Sequence, residues 1–189
     1  QAVVGNIFDY YAGFDEFSGG YIDTWGGHLP YVINQISGPL IDIPKLMQVQ
    51  QAVTNEAEAK AYLSRLQRMD KFVEDVLSKY KDDTNNGIRL PANLHPKTLA
   101  YFDSFLAAAP SAHALVTTFE DKLASTDLSA ERQADLVNQA IELVTTVVYP
   151  AYQNARHALV ESQQTAPKGD GIWVQPGGEA FYRHAIRYL

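Results

Sequence analysis

Between residues 130 and 163 apolar side chains recur every three or four positions: Leu136, Val137, Ala140, Ile141, Val144, Val147, Val148, Ala151, Tyr152, Ala155, Ala158 and Leu159. That spacing draws one stripe along a helix of 3.6 residues per turn. Ser129 stands where an N-cap belongs. Pro150 interrupts the pattern without ending it. A proline there removes one backbone donor and crowds the carbonyl of Thr146, so a single helix kinked at Pro150 is expected. A helix of this length buries its stripe only against neighbours, which makes the expected fold all-α, an irregular helical bundle with few or no strands.

A second stripe runs over 56–81 through Ala59, Tyr62, Leu63, Leu66, Met69, Val73, Val76, Leu77 and Tyr80. Asn55 with Glu58 has the pattern of a capping box, with Thr54 as rival cap. Gly87, after a polar exit from Lys81, suits a left-handed C-terminal cap. Shorter helices are expected over Lys97–Ala108, after the His95-Pro96 breaker, and over Ala112–Ala124 with Ser111 as cap. Another is expected over Lys45–Gln51, with Pro44 in its first turn. Residues 1–43 read as an irregular, aromatic-rich part, because 18–43 carry too much Gly and Pro for a long helix. Residues 164–178 read as a Gly/Pro connector leading into a C-terminal helix. Its one strand-like run, Ile172-Trp173-Val174, is too short to define a sheet. Residues 1–189 thus form one helical domain. The apolar stripe at 181, 182, 185, 186 and 189 is still running at Leu189 with no stop signal, so the domain is expected to be a fragment of a longer protein.

Composition removes several functions. The chain has no cysteine, which excludes disulfides, zinc ribbons and thiol catalysis within it. Its formal net charge of −7 has the wrong sign for nucleic acid or anionic lipid. No apolar run approaches the roughly 20 residues of a membrane span. His28, His95, His113, His157 and His184 include no pair at metal-ligand spacing, and none is followed by Glu, so no zincin helix is present. No Gly-x-Ser-x-Gly elbow or phosphate-binding Gly-rich loop occurs. Residues 82–88 have the oxygens of a calcium loop at three positions, but position 12 would be Asn93 rather than Glu, so a polar helix-ending turn is the simpler reading. No catalytic or metal-ligating residue is expected.

What remains is suggestive surface. His157 and Glu161, one turn apart, read as a solvated pair. The aromatics Phe8, Tyr10, Tyr11, Phe14, Phe17, Tyr21 and Trp25 suit a core better than a sugar or peptide groove. The segment 169–179 is the most distinctive. Its glycines allow close backbone approach, and Gly177-Gly178 opens a helix start whose dipole favours Glu179. It serves either as a packed connector or as the edge of a cleft. Trp173, Glu179, Tyr182 and His184 are the substrate-cleft candidates.

The run Gly171-Ile172-Trp173-Val174-Gln175-Pro176-Gly177-Gly178-Glu179-Ala180-Phe181-Tyr182-Arg183-His184, with Tyr149-Pro150-Ala151-Tyr152 before it, resembles the bacterial family called domain of unknown function 885. Ile36-Ser37-Gly38-Pro39, Ile43-Pro44-Lys45-Leu46, Ala61-Tyr62-Leu63-Ser64-Arg65-Leu66, Gly87-Ile88 and Pro91 follow the same pattern in order. The resemblance implies a longer, mostly helical parent, often bearing a secretion or lipoprotein signal, whose C-terminal half carries a zincin-like His-Glu motif. Zinc is thereby implied for the missing half and for no residue of this chain.

The expectation is therefore a non-catalytic helical portion of a zinc-dependent, peptidase-like hydrolase, forming scaffold and one wall of the substrate cleft. Its partners would be the missing C-terminal half and a peptide substrate. Its place would be the cell envelope or periplasm, with a lipid anchor implied by the resemblance. Alone it should be inactive and self-associate through the 181–189 stripe. The alternative is a non-enzymatic, lipoprotein-type envelope module that binds a partner.

Overall fold

The computed structural model describes residues 4, 5, 7, 8, 17, 19–23 and 27–188. Tyr10, Tyr11, Phe14 and Trp25 of the aromatic run lie outside the described residues. Phe17 is buried, and Phe8 is exposed.

Residues 4, 5, 7 and 8 are helical, and two three-residue strands come after them, β1 (Tyr21–Asp23) and β2 (Gly27–Leu29), antiparallel with Ile22 opposite His28. Eight α-helices follow among the described residues: α1 (Pro39–Val49), α2 (Glu56–Gln67), α3 (Met69–Asn85), α4 (His95–Ala107), α5 (Ala114–Leu123), α6 (Ala130–Leu143), α7 (Tyr149–Gln163) and α8 (Gly178–Tyr188). The fold is an all-α bundle with one short hairpin. Helix α7 lies against α3 and α4, α6 against α2 and α5, and α1 against α5 and α3.

The stripe that defines the long helix forms its axis. Leu136, Ala140, Val144, Val148, Tyr152, Ala155 and Leu159 are all fully buried, each worth roughly 1–3 kcal/mol of apolar burial. The helix is interrupted one turn earlier than Pro150 itself, in a π-helical turn over Val144–Val148. The cap N–H of Tyr149 bonds to Val144, five residues back. Widening the turn gives the proline ring room against the preceding carbonyls and lets Pro150 sit in the first turn of α7.

The stripe expected as one helix over 56–81 is two helices, divided at Arg68 (φ −98°, ψ 6°). Ala59, Tyr62, Leu63 and Leu66 are the buried face of α2, and Met69, Val73 and Val76 continue it on α3. The break redirects the chain, so α2 meets α6 while α3 meets α7. Its ends were legible. Asn55 accepts from the Glu58 N–H at 3.0 Å, while the Glu58 carboxylate takes both the N–H and the hydroxyl of Thr54. Gly87 (φ +84°) closes α3 in a Schellman motif, with Ile88 N–H to Asp83 O and Gly87 N–H to Thr84 O.

Other boundaries differ from the expectation. Helix α1 begins at Pro39 rather than Lys45, and Pro44 lies inside it. Pro44 has no N–H for the Leu40 carbonyl four residues back, and two phenols supply the donors, the half-buried Tyr101 at 2.9 Å and the fully buried Tyr152 at 2.7 Å. Helix α4 starts at His95 itself, with Pro96 in its first turn. Helix α5 is capped by His113, whose Nδ1 accepts from the Leu115 N–H, rather than by Ser111, which sits in a 3-10 turn. Ile172–Val174 is a 3-10 turn rather than a strand.

Candidate functional site

One end of the bundle gathers the hairpin, the 86–93 connection after α3, the 164–178 connector and α8. Ile88, Phe17 and Phe181 form a small apolar cluster there, apart from the main core, with Tyr31 and Ile172 against it. The Phe17 and Phe181 rings are 4.5 Å apart.

The connector is fixed by polar contacts across long sequence distances. Gln175 is buried, and its amide pairs twice with the backbone of Arg89, accepting from N–H at 2.9 Å and donating to C=O at 2.8 Å. Tyr31 is also bonded to Gln175, while burial pushes its phenol up to about 12. Asn93 donates to Asp170 at 2.7 Å, and the Ala92 N–H donates to the Pro167 carbonyl. Pro176 stacks against Gly87, the cap of α3.

Two glycines make the segment possible. A Cβ on Gly171 would stand 2.0 Å from the Trp173 ring, and one on Gly178 would stand 1.9 Å from the Ile172 carbonyl oxygen. Trp173 therefore lies over bare backbone with its side chain 72% exposed. Tyr182 and Ile186 are also exposed, on the face of α8 opposite Phe181 and His184.

The four cleft candidates do not share one environment. Trp173 and Tyr182 face outward. Glu179 is exposed and paired with Arg183 at 2.7 Å. His184 turns inward and is buried, its ring stacked on His28 with centroids 5.4 Å apart. Burial, and after it the neighbouring His184, holds the His28 imidazole below its ordinary value. The C-terminal stripe is thus half covered: Phe181 packs inside, and Tyr182 and Ile186 stay in water. His157 and Glu161 pair on an exposed face at 3.2 Å, as expected.

Two buried polar groups lay outside the sequence reading. His95, fully buried, joins Ser162 through Nε2 at 3.1 Å and the Pro91 carbonyl through Nδ1 at 3.2 Å, and Tyr80 donates to Ser162 at 2.5 Å. A serine–histidine pair oriented by a third group has the outline of an activated nucleophile. Here the hydroxyl also lies 3.0 Å from the Leu159 carbonyl, His95 has no exposed surface, and the Tyr80, Ser162 and His95 side-chain polar atoms are all hydrogen-bonded to one another or to backbone. The network ties α3, α4 and α7 together beneath the 86–93 connection. Asp83 is the other, buried beside Lys79 with one carboxylate oxygen lacking a hydrogen-bond partner among the described residues. Burial raises its carboxyl above the ordinary value despite that lysine. Only His95-Pro96, read as a breaker, hinted at either.

Among the described residues no group of three or more His, Asp or Glu side chains could hold a metal ion. Among the described residues the stacked His28–His184 pair belongs to no group of three or more such side chains. The described residues alone therefore do not make up the ligand set of a zinc site. No described helix is long and apolar enough to cross a membrane.

A family model described as "Bacterial protein of unknown function (DUF885)" matches residues 7–189. No curated protein matches the chain. Among solved structures, the crystal structure of a putative lipoprotein from Colwellia psychrerythraea is similar at 38% identity with a TM-score of 0.92. The match covers 95% of this chain and 31% of that one, so this chain spans about a third of the length of that relative. With a family model matched over residues 7–189, nearly its whole length, the chain belongs to the bacterial DUF885 family.

Proposed function

We propose that this chain is the non-catalytic helical portion of a longer, zinc-dependent, peptidase-like hydrolase, serving as scaffold and as one wall of its substrate cleft. The observation that carries the proposal is the rigid presentation of Trp173. The Gln175–Arg89 double hydrogen bond and the bare backbone at Gly171 hold a large aromatic side chain out in water. A fixed aromatic edge of this kind contacts substrate and sheds water from it at little entropic cost. Tyr182 and Glu179, on the outward side of the adjoining helix, extend that edge. His184 supports it from beneath by packing on His28. Metal and general base would come from the rest of the longer protein, and the peptide is the substrate class.

In the longer protein, Trp173→Ala and Tyr182→Ala should depress turnover of a mixed peptide pool at least tenfold while leaving the melting temperature in place. A melting temperature that falls while turnover per folded molecule holds would make the segment mere packing. Stoichiometric zinc and peptide cleavage in the 189-residue chain alone would overturn the division of labour.

The description of the solved relative as a lipoprotein favours a second reading, a non-enzymatic envelope module that binds a partner through the same aromatics. In either case the cell envelope or periplasm, with a lipid anchor on the longer protein, is the proposed location. Absence of turnover in the longer protein with every substrate and metal tried would favour this second reading.

A further inference from the structure

Residues of helices α1 and α2 and of the connection between them line an open trough at the surface of the bundle, over Met47 of the main core. It spans about 530 Å³, and its lining is mostly apolar, including Ile43, Leu46, Met47 and Ala61, beside Gln50 and Gln51. Leu46 is 41% exposed, and Val49, three residues on, is 71% exposed. A water-facing leucine and valine beside an apolar trough are an unfinished packing surface, the seat that two helices offer to a third.

The charges along α2 say what kind of element fits. At one end Glu58 is already consumed, its carboxylate taken by the Thr54 N–H and hydroxyl. At the other end, seven residues and so about 10 Å further along the helix, Arg65 lines the trough and makes no ion pair among the described residues. An occupant with apolar side chains at i, i+3 or i+4, and i+7, and an acid at the Arg65 end, complements both features. The solved relative holds this same helical unit within a chain about three times as long.

We infer that the α1–α2 trough seats an amphipathic helix, carrying an acidic residue opposite Arg65, from the part of the longer protein outside this unit. The inference rests on the reading of this chain as one unit of a longer protein, and not on any peptidase chemistry.

Hydroxyl-radical footprinting of the 189-residue chain and of the longer protein tests it. Leu46 and Val49 should oxidise at least fivefold more slowly in the longer protein. Val49→Lys and Ala61→Arg, both at exposed positions, should leave the melting temperature of the 189-residue chain within about 1 °C. In the longer protein each should restore oxidation of Leu46. Arg65→Glu should do the same, and more so at low salt. Equal reactivity of Leu46 and Val49 in the two proteins would overturn the inference. So would sedimentation showing a dimer of the 189-residue chain that Val49→Lys converts to monomer, since the occupant would then be a second copy. Peptide turnover is scored separately. Protection without turnover leaves the docking intact and removes the peptidase, and turnover without protection does the reverse.

Discussion

The Leu40 carbonyl offers the sharpest test of how this bundle is held together. Pro44 cannot donate to it, and Tyr101 and Tyr152, from two other helices, do so at 2.9 and 2.7 Å. Tyr152→Phe alone leaves the carbonyl one donor, and so does Tyr101→Phe. Each should cost about 1 kcal/mol, the net worth of a neutral hydrogen bond. The double variant leaves a buried acceptor with neither phenol, which adds a desolvation penalty of about 1–3 kcal/mol. The pair should therefore lose about 3–5 kcal/mol in urea unfolding, against about 2 for the sum of the singles. At roughly 2–4 °C per kcal/mol for a chain of this size, that is a fall of at least 6 °C in Tm. Pro44→Ala supplies the missing N–H, so it should rescue the double variant by about 1–3 kcal/mol more than it changes the parent. Additivity of the two tyrosine variants to within about 0.5 kcal/mol, or an equal effect of Pro44→Ala in both backgrounds, would refute the reasoning.

Other expectations follow from the geometry. Burial holds the His113 imidazole below its ordinary value, although its bond to the Phe105 backbone pulls upward. The unfolded chain therefore takes up the proton first. Stability should fall as pH drops from 6.5 toward the lower folded value, and His113→Asn, which keeps a capping acceptor for Leu115, should flatten that slope in pH-dependent urea melts. Gln175→Leu removes two hydrogen bonds and strands the Arg89 backbone groups. It should cost about 2–4 kcal/mol and speed amide exchange at Arg89 before that of the α6–α7 core. Gly178→Ala drives a methyl into the Ile172 carbonyl and should cost at least about 2 kcal/mol, whereas Gly171→Ala should chiefly displace the Trp173 indole, seen as a shift in its fluorescence.

The candidate site was legible in the sequence only in outline. The Gly-rich run at 169–178 marked a place of close backbone approach, and Gly171 and Gly178 confirm it with contacts no Cβ would survive. Trp173 and Tyr182 are exposed, but His184 is turned into the fold, because the residue it packs on, His28, lies in a hairpin that no local signal announced. Gln175, the residue that fixes the segment, passed unremarked. A glutamine in a connector looks polar and solvated until its backbone partner, 86 residues away in sequence, is known.

By itself the sequence determined the helices, since a stripe of period 3.6 has nowhere to go but one face of a helix, and it marked their ends wherever the cap is local, at Asn55, Ser129 and Gly87. Tertiary structure decided where those helices break and what completes them. The proline inside α1 depends on phenols brought from two other helices, and the turn at Arg68 sends α2 and α3 to different partners, α6 and α7. The physical reason is the same throughout. Periodicity and capping are satisfied within a few residues, whereas a buried carbonyl or a redirected apolar face is satisfied only by whatever the fold places beside it.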